Sequence, residues 1–162
     1  TAQAIFEFGS QHGVDVFVLE YLDFKGKQAV KRVHFWRYKR IFSVLGMKAH
    51  RHGLRISRVC AYNTSRLAFD GSGFVKRGWS KEAPYSLIQF VNGKVYNADL
   101  NASYNLGARY WIRHHLKTVS ETKRLALEVK VPQVAKRNTC TLSHLISLRS
   151  ELFALNVKRN QA

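Results

Sequence analysis

A chain of 162 residues is long enough for one domain with a hydrophobic core, or for a domain carrying a small insert. Its 27 Lys and Arg against 10 Asp and Glu give a formal net charge of +17 and a pI near 10.3, so a polyanionic partner is the economical explanation for charge that would otherwise only repel itself. No apolar run of spanning length, signal peptide or lipidation motif is present, which excludes a membrane partner and leaves cytoplasmic residence as the default.

The chain opens at Thr1 directly on a helical segment, which reads as part of a longer protein. Residues 1–12 form the end of a helix with Ala4, Ile5 and Phe8 on one side, capped by Gly13. Val14 to Glu20 is a short, β-branched-rich apolar run, the pattern of a buried central strand, and Glu20 ends it. Residues 23–32 are a basic connection. Residues 33–52 turn helical, with Ile41, Val44, Leu45 and Ala49 at three-and-four spacing, until Gly53 stops them. Leu54 to Tyr62 alternates apolar and basic residues and predicts a second strand.

Residues 63–96 are punctuated by Gly71, Gly73, Gly78, Pro84 and Gly93, and form an insert of loops and hairpins with strand-like runs at 86–91 and 94–96. Phe69, Phe74, Trp79, Tyr85 and Phe90 are its candidate core, with one or two free to stack on a base. Residues 98–116 are the strongest helix, with Leu100, Tyr104, Gly107/Ala108, Trp111 and His115 along one stripe. The basic tail, 117–162, holds two helices near 120–130 and 140–156, separated by Pro132. Cys60 and Cys140 make neither a disulfide framework nor a zinc pattern and read as small buried hydrophobes.

Two acids stand out. Glu20 ends an apolar strand, where an unpaired charge is costly and normally meets a cation. Asp99 lies in the first turn of the strongest helix, a position the helix dipole favours without any chemistry. Taken as a pair in a basic chain, they suit metal-assisted phosphodiester hydrolysis, because hard cations take oxygen ligands.

The residues around them resemble a known family. Val16-Phe17-Val18-Leu19-Glu20-Tyr21-Leu22 is similar to the second RuvC motif of the transposon-encoded TnpB nucleases and the related type V CRISPR effectors. Asn97-Ala98-Asp99-Leu100-Asn101-Ala102-Ser103-Tyr104-Asn105-Leu106 resembles their third motif. Between them, Lys48-Ala49 through Gly53 to Val59, then Asn63-Thr64-Ser65, matches the family's helix–glycine–strand passage and its Thr-Ser, in the same order and spacing. The resemblance covers roughly residues 1–116. It implies an α/β, RNase H-like (RuvC) fold, C-terminal part, in segments 1–62 and 97–116, with a helical tail. It also implies that Glu20 and Asp99 are catalytic, metal-binding carboxylates using Mg²⁺ or Mn²⁺. The partners it implies are a DNA target and a guide RNA, in a prokaryotic, nucleoid-associated setting where base pairing supplies specificity.

Two departures accompany it. Members with zinc carry Cys-x-x-Cys pairs where this chain has Ala68, Gly71, Gln89 and Asn92, so the insert is expected to be a zinc-free version of the target-nucleic-acid-binding module. The histidines do not replace them: His50 and His52, and His114 and His115, diverge on their helices. The family's first catalytic aspartate is also absent: Glu7 is on a helix and Asp15 begins a strand. It is expected from the remainder of the polypeptide or from a second chain. The alternative reading is a cleavage-deficient RNA-guided DNA-binding relative, acting as a repressor or transposition accessory.

Basic residues interleaved with aromatics suit backbone tracking with stacking. They include Arg37, Lys39 and Arg40 after Trp36, Arg51, Arg55 and Arg58 around Gly53, and Lys81 near Trp79. The nucleic-acid-binding candidates are Arg66, Lys76, Arg77, Arg109 and Arg113, with Arg66 placed to stabilise phosphoryl charge. A solvated helix face is the plain alternative for each.

Overall fold

A computed structural model describes residues 1–22, 38–149 and 151, and shows a mixed α/β protein with small sheets. The connection at 23–32, Trp36 and Arg37, and the tail helix beyond residue 151 lie outside the described residues. The chain divides into two compact units, Thr1–Val59 and Cys60–Ala162. This division groups the helix at 98–116 with the insert and the tail.

The first unit contains α1 (Ala2–Gln11), β1 (Val16–Tyr21), α2 (Tyr38–Arg51) and all but the last residue of β2 (Arg55–Cys60), with β1 and β2 paired in a two-stranded sheet. Its core is Phe6, Phe17, Leu45 and Ala49. The inward face of α1 is therefore Ala2, Ile5, Phe6 and Gly9, and Phe8 is exposed and stacked on His12 at 4.1 Å. Gly9 explains the rotation: a Cβ there would lie 2.4 Å from the Phe17 ring, so only glycine lets the helix settle on β1 at this point. Only Phe17 of β1 is fully buried, so the strand is half-covered instead of central.

The second unit begins with the insert. Leu67 bridges Phe74, Lys76 bridges Gln89, and β3 (Leu87–Gln89) pairs antiparallel with β4 (Val95–Asn97). Alternation along these segments turns Val75, Ile88, Phe90 and Tyr96 inward with Ala68, Phe69 and Ala98. Phe69 makes edge-on contacts with Phe90, Tyr96 and Tyr104 at 5.0–5.4 Å. Phe74 and Tyr85 are not core: they are 58% and 77% exposed.

Then follow α3 (Ala98–Leu116), α4 (Glu121–Lys130), two short 3₁₀ turns and α5 (Leu142–Ser147). Ser120 caps α4, and Pro132 starts the 3₁₀ turn that ends its run. Ile112, Leu127, Val131, Val134, Cys140 and Leu148 pack together. The expected apolar stripe of α3 is turned outward: Leu100, Tyr104 and Trp111 are exposed, and of that stripe Ala108 and His115 are buried. Cys140 is buried as expected, whereas Cys60 at the end of β2 is exposed.

Two imidazoles make this unit acid-sensitive. Burial, followed by the charge of His114, holds His115 below the usual imidazole value of 6.5, and burial does the same to His144. Their folded pKa values lie below the unfolded ones, so between the two the unfolded chain binds more protons. Their stabilisation is complete above pH 6.5 and declines as pH falls below it, levelling off beneath the folded values. The urea midpoint is expected to be lower at pH 5 than at pH 7.5, and His144→Gln should reduce that difference.

Candidate active site and nucleic-acid surface

Asp99 sits in the first turn of α3, but it does not cap the helix. Asn97, in extended conformation at the end of β4, does so: its Oδ1 accepts from the Asp99 and Leu100 N–H groups at 2.9 and 3.0 Å. The Asp99 side chain is exposed, and its carboxylate has no side-chain partner among the described residues. Helix polarity favours the charge by only about 0.3–1 kcal/mol. The Asp99 carboxylate by itself offers one of the several oxygen ligands that a hard cation takes.

Glu20, next to last in β1, is half-buried, and its main-chain oxygen accepts a hydrogen bond from the Tyr38 hydroxyl. Burial, and less strongly the Glu20 charge, push the Tyr38 hydroxyl above its ordinary pKa, while Arg58 opposes the shift. Beyond the strand end, Leu22, Tyr38, Phe42, Met47 and Arg58 line part of a cavity of about 560 Å³. The Arg58 guanidinium lies 3.8 Å from the Phe42 ring centroid. Glu20 belongs to the first unit and Asp99 to the second.

The basic candidates separate into two groups. Arg66 and Lys76 are exposed on the insert, and Arg77 is half-buried there. The Arg66 guanidinium stands 5.6 Å from the Phe74 ring, and Arg77 stands 4.8 Å from Tyr85. The outer face of the insert sheet presents Phe74, Lys76, Val91 and Val95 to solvent. Arg113 is half-buried near the end of α3, and Lys39, Arg40, Arg51, Arg55, Arg58 and Lys81 are exposed.

Arg109 is corrected: it is not a surface phosphate contact. It is 3% exposed, and its guanidinium donates to the carbonyls of Cys140 (3.0 Å), Cys60 (2.8 Å) and Tyr62 (2.8 Å). These three carbonyls, on Nε and Nη1, offset the cost of burying the cation.

Asn101 and Asn105, one turn apart on the same face, are fully buried. Both Nδ2 groups donate to the carbonyls of Thr64 and Leu67, at 2.8–3.2 Å. Asn101 Oδ1 accepts from Phe69 N–H at 2.9 Å, and Asn105 Oδ1 from Leu142 N–H at 3.3 Å. These roles escaped the sequence reading. The available signal was asparagine, a poor helix former, recurring at four-residue spacing inside the strongest helix.

Ala68, Gly71, Gln89 and Asn92, the positions that the sequence resemblance sets against cysteines, lie in turns and in the β3 pairing. Gly71 N–H closes on Ala68 C=O at 3.1 Å, and Asn92 Oδ1 accepts from Lys94 N–H at 3.1 Å. Gln89 pairs with Lys76 through the backbone, and a Cβ at Gly71 would come 2.4 Å from the Ser143 hydroxyl. Donor chemistry there does not fit zinc. Among the described residues, no three His, Cys, Asp or Glu side chains cluster, and no helix is long and apolar enough to cross a membrane.

No family model matches the chain, and no curated protein matches it.

Proposed function

We propose that this chain is the C-terminal RuvC (RNase H-like) portion of an RNA-guided DNA endonuclease of the TnpB type. The observation that carries this reading is Asp99: an exposed carboxylate at the start of α3, relieved of capping by Asn97 and continuous with an insert that exposes cations beside aromatic rings. Asp99 and Glu20 are the residues that would hold Mg²⁺ or Mn²⁺. When bound, such a metal supplies Lewis-acid stabilisation and an activated water for in-line hydrolysis. The protein's own contribution is position and grip. Lys76 and Arg66 neutralise phosphate charge, Phe74 and Tyr85 offer faces on which bases stack, and the overall +17 charge draws the polyanion in.

The test begins with the full-length protein purified together with the RNA it retains in cells. That RNA is sequenced, and a plasmid matching it is incubated with the complex and Mg²⁺. Cleavage at the matched site supports the reading; matched binding without cleavage supports the RNA-guided repressor or transposition accessory. The second reading is favoured by the two acids at the start of the chain. Glu7, on the exposed face of α1, accepts from Gln3 at 2.6 Å, and Asp15 precedes β1, so neither serves as the family's first carboxylate.

DNA affinity should fall steeply with salt, by about −0.9 in log–log slope for each phosphate contact on a duplex. Lys76→Ala should flatten that slope by about one contact, whereas Arg109→Lys should leave it unchanged. A flat profile for the unaltered protein would exclude a nucleic-acid partner.

A further inference from the structure

The run from Cys60 to Phe69 enters the insert with little regular structure, so most of its carbonyls must find donors outside a ladder or helix. Four of them, those of Cys60, Tyr62, Thr64 and Leu67, find them on one helix. Residues 101, 105 and 109 fall four apart and form a single inward stripe on α3. Along it, Arg109 takes the carbonyls of Cys60 and Tyr62, and the two asparagines share those of Thr64 and Leu67.

The matching is complete at the centre. Two primary amides supply four N–H bonds, and two carbonyls supply four lone pairs. Each amide's remaining oxygen then serves a backbone N–H from a different segment, Phe69 at the start of the insert and Leu142 at the start of α5. Only this amide orientation satisfies all the partners, because a flipped side chain would set oxygen against oxygen. Between the clamped carbonyls, Asn63 holds the left-handed φ of 58° that closes the turn, and its carbonyl receives the Arg66 and Leu67 N–H groups. The other end of the insert is fixed to the same helix, since β4 ends on Asn97, the α3 cap.

We propose that Asn101, Asn105 and Arg109 are positioning residues that lock the start of the insert and the start of α5 to the helix bearing Asp99. The insert and the Asp99 carboxylate then meet nucleic acid as one rigid piece. This rests on Asp99 acting as a metal-binding carboxylate, as in the function proposed above. The stripe touches no substrate; it acts through the placement of Asp99 against a strand held by the insert.

The test uses the full-length, RNA-loaded protein and reads hydrogen exchange alongside cleavage. Asn105→Asp keeps side-chain size and the acceptor for Leu142, but faces the Thr64 and Leu67 carbonyls with a carboxylate oxygen. Exchange at Arg66, Leu67 and Phe69 should accelerate at least tenfold while Gln89 in the hairpin stays protected. Cleavage kcat should fall at least tenfold with KM and target affinity within twofold, and half-maximal cleavage should need more Mg²⁺. Arg109→Lys, which keeps the charge and loses the fork, should move the same readouts in the same direction and serves if Asn105→Asp does not fold. Unchanged exchange overturns the clamp. Accelerated exchange with unaltered kcat and Mg²⁺ requirement per folded molecule overturns the positioning role. Asp99→Ala, run in parallel, separates the two readings: if it cuts normally, the assignment of Asp99 has failed and the proposal with it. If it is inert while both stripe variants cut normally, positioning alone has failed.

Discussion

Asp99→Ala in the full-length protein is expected to lose Mg²⁺-dependent cleavage by at least about a thousandfold, because a carboxylate that holds metal carries several kcal/mol of transition-state charge stabilisation. The same variant should fold and bind DNA nearly as the parent does. Its side chain is exposed, and Asn97 supplies both capping bonds at the start of α3. The only structural loss is the favourable charge near the helix start, about 0.3–1 kcal/mol. A purely structural acid would show the reverse pattern, with stability lost and activity per folded molecule retained. Cleavage kinetics and a urea denaturation curve on one preparation distinguish the two. Normal cleavage by this variant would remove Asp99 from the active site.

Asn101→Ala is expected to act first on stability, unfolding the second unit more readily, since the residue reaches chemistry only through the placement of Asp99. The substitution strands the Phe69 N–H, an unsatisfied buried donor that costs about 1–3 kcal/mol, and removes two amide donations worth about 0.5–1.5 kcal/mol each. Asn105 still reaches both carbonyls, so the loss is not total. A net destabilisation of about 2–4 kcal/mol follows, a large share of the 5–15 kcal/mol typical of a domain. It should appear as a clear drop in the urea midpoint. An unchanged midpoint would mean that the amide network contributes nothing net.

Much of the local architecture was legible in the residues. The helix predicted at 98–116 is α3 as found, the helix near 120–130 is α4, and the strand-like runs at 86–91 and 94–96 contain β3 and β4. These are local events, driven by spacing, by caps such as Asn97 and Ser120, and by breakers such as Gly93 and Pro132. The candidate site was legible to the extent that motif order and spacing singled out Glu20 and Asp99. Of the surface cations, Lys76 could be named from Trp79 nearby in the chain, and Arg66 from its place beside Thr64-Ser65.

Facing was not legible. On α3, hydrophobicity alone places Leu100, Tyr104 and Trp111 inside, yet they are exposed, and Asn101, Asn105 and Arg109 are buried in the stripe beside them. On α1, Phe6 replaces Phe8 as the buried aromatic. In the first case the neighbour is irregular backbone whose carbonyls lack a ladder or helix to bond to, and it needs side-chain donors more than it needs apolar cover. In the second, Gly9 opens the one position where the Phe17 ring can seat.

Glu20 and Asp99 therefore remain the residues that short-range pattern identifies, because a strand-ending acid and a first-turn acid are properties of a few neighbours in the chain. Which cations are free to meet a phosphate is decided by tertiary packing. Arg66 and Arg109 look alike in sequence, but one lies over an exposed ring and the other is enclosed by three carbonyls. The physical reason is that burial of a polar group depends on partners supplied by distant segments, here 31 to 49 residues away for Arg109.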